Sequence, residues 1–183
     1  MNGPGSEPGP AVRHLWVLRH AKAEAGAPGG DDHERSLTDR GRRQGAALAA
    51  TLPSLAADGC PLPGLVLCST ATRARQTAAA ILGALGPDVM VEEERSLYHA
   101  DADDVLARLR LVPDEVAGVM VVGHNPTLHE LCFDLVDGDS AGRARLEAGF
   151  PTAALAVVAL GGRSWQQLAR ATGRLVALVV PGR

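Results

Sequence analysis

The sequence predicts an α/β fold in which helices cover a mostly parallel central sheet. Three observations predict it. Apolar runs of strand length alternate with longer stretches of helical periodicity, the pattern of strand–helix–strand units. Segments bearing histidine or arginine directly follow three of these runs, at the strand ends where such sheets gather their ligands. No internal repeat or linker divides the 183 residues, a length suited to one well-buried core.

Leu15-Trp16-Val17-Leu18 reads as a buried strand, and Leu65-Val66-Leu67-Cys68 as a second. Gly118 to Val122 is the clearest strand, because β-branched residues without charge suit a position covered on both faces. Ala153 to Leu160 and Leu175 to Val180 are two more, and Val89-Met90-Val91 is a more exposed one. Thr38 or Asp39 caps a helix running to about Leu52, with Gln44 and Leu48 on successive turns. Thr72 to Leu85 places Ala78, Ile81, Leu82 and Leu85 at helical spacing, and Gly86-Pro87 ends it. Asp101 and Asp104 resemble a capping box ahead of Val105, Leu106 and Leu109. Asn125-Pro126 predicts a helix start with Asn as cap and Pro at the first helical position, followed by Leu128, Leu131, Cys132 and Leu135. The loop from Ala23 to Ser36, rich in Gly and acidic residues, is expected to be mobile and to border the ligand-binding end.

Composition narrows the function classes. A formal charge of −3 and 3% aromatic residues supply neither a global attractive field nor stacking platforms. Nucleic acid and acidic membrane surfaces are therefore excluded as expected partners, and any anion site must be a local basic cluster. Cys60, Cys68 and Cys132 lack the C-x-x-C spacing of a metal or redox site and read as reduced thiols of a cytoplasmic protein. Residues 1–13 are expected to form a flexible tail ahead of a single domain over 14–183. That tail has neither the basic nor the apolar region of a signal peptide. No apolar run approaches the ~20 residues of a membrane helix.

Arg19-His20-Ala21 follows the first strand, Ser69-Thr70-Ala71-Thr72-Arg73 the second, and Gly123-His124-Asn125-Pro126 the Gly118–Val122 strand. Two imidazoles, two guanidiniums and the free N–H groups of helix starts thus converge, a suitable set for gripping a phosphoryl dianion. A neutral imidazole is a competent nucleophile toward phosphorus near pH 7. The arginine fork binds two phosphoryl oxygens at once. A second, protonated histidine would add charge where the transition state needs it, and Asn125 with its helix would support the anion.

Arg19-His20-Ala21 resembles the RHG signature of the histidine phosphatase, or phosphoglycerate-mutase-like, superfamily. Leu37-Thr38-x-x-Gly41-x-x-Gln44, Ser69-x-x-x-Arg73-Ala74-x-Gln76-Thr77-Ala78 and Gly123-His124-Asn125-Pro126 resemble its later motifs, in the same order over roughly residues 15 to 180. Together with the short chain, the RHAKA, SLYHADADD and GHNPTL segments look like the SixA-type phosphohistidine phosphatases. The resemblance implies a three-layer α/β/α, phosphoglycerate-mutase-like fold. It also implies a metal-independent hydrolase that needs no cofactor, with His20 as nucleophile and Arg19, Arg73 and His124 as the phosphate pocket; Asn125, from its place at the helix start, is read as a further substrate-binding residue. Its substrate would be phosphohistidine in a protein partner.

Two positions depart from the family pattern. Ala21 replaces the usual Gly, and His99, in Leu97-Tyr98-His99, stands where many relatives carry an acidic proton donor. An imidazole leaves phosphorus more easily than an alkoxide, so a missing carboxylate favours phosphoramidate substrates, with His99 an alternative donor. The rival readings are a small-metabolite phosphomonoesterase, a non-catalytic phosphate-binding module, and a metal-dependent phosphohydrolase using His20, His99, His124 and an Asp. Lys22, Thr38, His14, His33 and His129 read as solvated, capping, surface or packing residues. Cys68 reads as packing, and His129-Glu130 lacks the second histidine of a zinc motif.

Overall fold

Strands of alternating, doubly buried side chains need cover on both faces, and the chain supplies it. The computed structural model describes residues 12–136, 140–161 and 164–182, so most of the expected tail lies outside the described residues. Six strands form one sheet: β1 (Arg13–Arg19), β2 (Leu65–Ser69), β3 (Met90–Glu94), β4 (Gly118–Gly123), β5 (Leu155–Leu160) and β6 (Gly173–Val179), in the order β3-β2-β4-β1-β5-β6. The pairs β3–β2, β2–β4 and β4–β1 are parallel, while β1–β5 and β5–β6 are antiparallel. The sheet is thus mostly parallel, with an antiparallel flank.

Among the described residues five α-helices accompany it: α1 (Asp39–Ala57), α2 (Thr72–Leu85), α3 (Ala102–Leu109), α4 (Thr127–Leu135) and α5 (Ser140–Glu147). Alternate strand residues divide between two cores. Leu15, Val17, Leu67 and Val121 pack with Leu106, Leu109, Leu131 and Leu146 of α3, α4 and α5. Trp16, Leu18, Val66 and Met120 pack with Leu48, Leu52, Ile81 and Leu85 of α1 and α2. This is the expected three-layer arrangement.

Local chemistry explains most element ends. Thr38 Oγ1 accepts from the Gly41 N–H and caps α1, which runs past Leu52 to Ala57 with Pro53 inside it. Gly86, at φ 103°, ends α2, and Asp101 with Asp104 completes the capping box of α3. One expectation is corrected: α4 begins at Thr127 with Pro126 as its cap, without a side-chain cap bond. Asn125 does not serve as that cap: its Nδ2 donates to the Phe150 carbonyl at 2.8 Å, and its Oδ1, the atom a cap would use, accepts no hydrogen bond among the described residues. β3 is the exposed edge expected of it, and helix α5 was not anticipated.

Two glycines permit close approach. A Cβ on Gly41 would lie 2.1 Å from the Lys22 carbonyl oxygen, so the first turn of α1 presses directly on the chain after His20. A Cβ on Gly45 would meet Ala80 at 2.7 Å, which brings α1 close against α2.

Candidate active site

Strands β2, β4 and β1 lie side by side and parallel, so their carboxyl ends, Ser69, Gly123 and Arg19, open on one edge of the sheet. His20 extends this alignment: its N–H donates to the Gly123 carbonyl at 3.0 Å, and its carbonyl accepts from Ala153 at 3.1 Å. Behind it, the Ala21 N–H donates to Thr77 Oγ1 at 2.9 Å and the Lys22 N–H to Gln44 Oε1 at 2.9 Å. Helices α1 and α2 therefore both clamp the turn that carries His20.

The ring centroids of His20 and His124 are 5.2 Å apart. His20 is buried, and its Nδ1 lies 2.8 Å from the Ala21 carbonyl oxygen. A carbonyl only accepts, so Nδ1 carries the proton and Nε2 keeps its lone pair. Burial first, then Arg73 and Arg19, lower the His20 pKa to about 4 against the opposing pull of the Ala21 carbonyl. His124 Nε2 meets Ser69 Oγ at 2.9 Å. Burial, the His20 ring and Arg73 lower its pKa to about 3. The expectation of a protonated second histidine is thus corrected for the free protein: removal from water outweighs the pull of the Asp32 carboxylate.

Arg19 Nη1 donates to the Phe150 carbonyl at 2.8 Å, the same oxygen that Asn125 binds. Asn125 therefore directs its amide N–H at the backbone. Arg73 turns inward at 5% exposure, whereas Arg75 faces Glu93 outside. His99 is exposed and packs on Tyr98, whose ring centroid lies 4.5 Å from His99 and 5.4 Å from His124. Lys22 is exposed, Thr38 caps, and His129 bonds the Leu146 carbonyl through Nε2. Among the described residues, no three His, Cys, Asp or Glu side chains are grouped to hold a metal ion.

Sequence reasoning missed Asp32 and Tyr98. Asp32 Oδ2 pairs with Arg73 Nη2 at 3.0 Å and accepts the Tyr98 hydroxyl at 2.6 Å. The loop expected to be mobile is consequently tied down over residues 32–37. His33 reaches Thr70 and Glu34 reaches Thr72, while the Leu37 N–H donates to Gln76. The signal available was the acidic cluster of that loop and the single tyrosine beside His99.

The family model of the histidine phosphatase superfamily (branch 1) matches residues 15–108. An uncharacterized protein of Mycobacterium tuberculosis is 37% identical over 171 residues, covering 90% of this chain and 99% of its own. The chain belongs to the histidine phosphatase superfamily. An uncharacterized protein of Mycobacterium leprae is 34% identical over 169 residues, with the same coverage of 90% and 99%. Among solved structures, the proposed phosphohistidine phosphatase SixA of Nakamurella multipartitia superposes with TM-score 0.79 at 32% identity, covering 93% of this chain and 96% of that one. A protein histidine phosphatase SixA complexed with tungstate gives TM-score 0.72 at 25% identity over 92% and 97%. This histidine phosphatase therefore has the phosphoglycerate-mutase-like fold and is a phosphatase-type hydrolase. Among the described residues, no helix is long and apolar enough to cross a membrane.

Proposed function

We propose that this histidine phosphatase is metal-independent and removes phosphate from phosphohistidine in a protein partner, through a covalent intermediate on His20. The observation that carries the reading is the state of the His20 ring. It is neutral, its Nδ1–H is held by the Ala21 carbonyl, and its Nε2 is left as the nucleophile beside Arg19, Arg73 and His124. Arg19 Nε, Arg73 Nε and His124 Nδ1 are buried without a hydrogen-bond partner among the described residues. Orphaned polar groups of this kind cost on the order of 1–3 kcal/mol each, and phosphoryl oxygens would supply acceptors for the two guanidinium Nε–H groups, which have none.

Nε2 attacks phosphorus, the P–N bond of the substrate breaks, and its electron pair returns to the leaving imidazole. Exchange of one P–N bond for another moves no proton when the substrate ring enters as imidazolium, so the step needs no acid at His99. Water then adds to phosphorus, the Nε2–P bond opens, and both water protons leave on H₂PO₄⁻. The bound dianion raises the His124 pKa from its low value in the free protein, so that ring can donate to the phosphoryl oxygens. Asn125 supports the pocket through the Phe150 carbonyl that it shares with Arg19.

Similarity to three SixA structures supports the substrate class, and tungstate, the ligand in one of them, is a tetrahedral oxyanion like phosphate. Three free, buried cysteines agree with a cytoplasmic setting. The test is phosphate release with EDTA present, comparing phosphohistidine with p-nitrophenyl phosphate and wild type with His20→Ala. The expected result is phosphohistidine turnover that survives the chelator and vanishes in the variant. Activity lost to EDTA, or retained without His20, rejects the reading.

A further inference from the structure

Asp32 occupies the fork that a substrate needs. Its Oδ2 lies 3.0 Å from Arg73 Nη2, and its backbone carbonyl oxygen lies 2.6 Å from Nη1. The Tyr98 hydroxyl donates to the same Oδ2 at 2.6 Å, and Arg35 Nε donates to Oδ1 at 2.7 Å. The Arg73 side chain is 6% exposed and that of Asp32 is 55% exposed, so the carboxylate lies on the solvent side of the guanidinium. Carboxylate and phosphoryl oxygens compete for the same donors. His20 is buried at 9% exposure, and in-line displacement places the leaving group opposite the attacking Nε2. The leaving group therefore faces solvent, on the side where Asp32 and Tyr98 stand.

We propose that Asp32 determines which leaving group the site accepts, by yielding Arg73 to the phosphoryl group and then receiving the distal ring N–H of a phosphorylated imidazole. The proposal rests on the reading of His20 as a nucleophile toward phosphohistidine. It pairs two rings in matching states. The Ala21 carbonyl accepts the N–H of His20 remote from phosphorus, and Asp32 accepts the N–H of the substrate ring remote from phosphorus. A carboxylate there favours the imidazolium form of the substrate, which departs as neutral imidazole when the P–N electron pair returns to its nitrogen. The same carboxylate disfavours a phenolate or alkoxide, whose negative charge would develop beside it. Its hydrogen bond from Tyr98, then Arg35 and Arg73, hold Asp32 ionised, with a pKa lowered to about 2, so it is an acceptor and not an acid.

Asp32→Asn and Asp32→Ala test this against wild type with phosphoimidazole, p-nitrophenyl phosphate and inorganic phosphate as probes. Thermal melts confirm that each variant is folded, which the exposure of the side chain favours. For phosphoimidazole, kcat/KM is expected to fall about tenfold or more, the scale of one charge-assisted hydrogen bond. For p-nitrophenyl phosphate it is expected to hold or rise. Calorimetric binding of inorganic phosphate should tighten several-fold, because Arg73 no longer has a competing anion. These opposite movements exceed what general loosening of the site would produce. An unchanged ratio between the two substrates, or weaker phosphate binding, overturns the role of Asp32 while wild-type turnover of phosphoimidazole leaves the function standing. Wild type that hydrolyses p-nitrophenyl phosphate through His20 and leaves phosphoimidazole intact overturns both.

Discussion

Ser69 and His124 are joined by a 2.9 Å hydrogen bond between Oγ and Nε2. Ser69 is fully buried at the end of β2, and His124 follows the end of β4, so two adjacent strands fix the direction of one imidazole. Ser69→Ala should leave the fold intact but free the ring to rotate. The expected loss is about tenfold in kcat, with a smaller change in KM, because misorientation acts on the transition state more than on ground-state binding. Steady-state kinetics of the folded variant checks this, and Ser69→Thr should restore part of the rate.

The low pKa values of His20 and His124 make stability depend on pH in a defined window. Both rings bind fewer protons folded than unfolded between their ordinary value near 6.5 and their folded values of about 4 and about 3. Stability is therefore present above pH 6.5, falls as pH drops through this window, and stops falling from this source below the folded values. For His20 the effect is roughly 3 kcal/mol over the full window. Melting temperature is expected to fall from pH 6.5 to 4.5, and His20→Asn should flatten that slope. An equally steep slope in the variant would assign it elsewhere.

Gly41→Ala is expected to harm both fold and site. Its methyl group would overlap the Lys22 carbonyl, a backbone atom that also accepts from the Thr38 N–H and hydroxyl. Relief requires α1 or the turn after His20 to shift, at a cost of about 1–3 kcal/mol. A lowered melting temperature together with reduced kcat checks this. Gly83→Ala, where a Cβ meets nothing within 4 Å, is the matched control and should keep both.

Arg19 and Asn125 share one carbonyl, that of Phe150. Asn125→Ala should therefore raise KM by a few-fold through a loosened Arg19, with kcat less affected, since one hydrogen bond to a neutral acceptor is worth about 1 kcal/mol. Equilibrium binding of inorganic phosphate gives an independent readout and should weaken by a similar factor. A much larger loss would mean that Asn125 contacts the phosphoryl group itself.

The strands, helices α1 to α4 and the three segments that deliver Arg19, His20, Arg73 and His124 were legible in the sequence, whereas α5 was not. Their signals are local: buried runs, helical spacing, a Thr cap, a capping box, and polar residues immediately after apolar ones. The histidine and arginine motifs in register named the family for the same reason. The state of those residues was not legible. Burial beyond the end of β4, where His20, Ser69 and Tyr98 lie against the ring, turns an expected imidazolium at His124 into a neutral ring. Asp32 and Arg73 are 41 positions apart, Tyr98 and Asp32 66, and Arg19 and Phe150 131. No local periodicity records such pairings, because they arise only when parallel strand ends and the loops that cross them close over one pocket. Sequence alone determined which charged and polar groups gather at the strand ends; tertiary packing decided their burial, their partners and the carboxylate that pairs with Arg73.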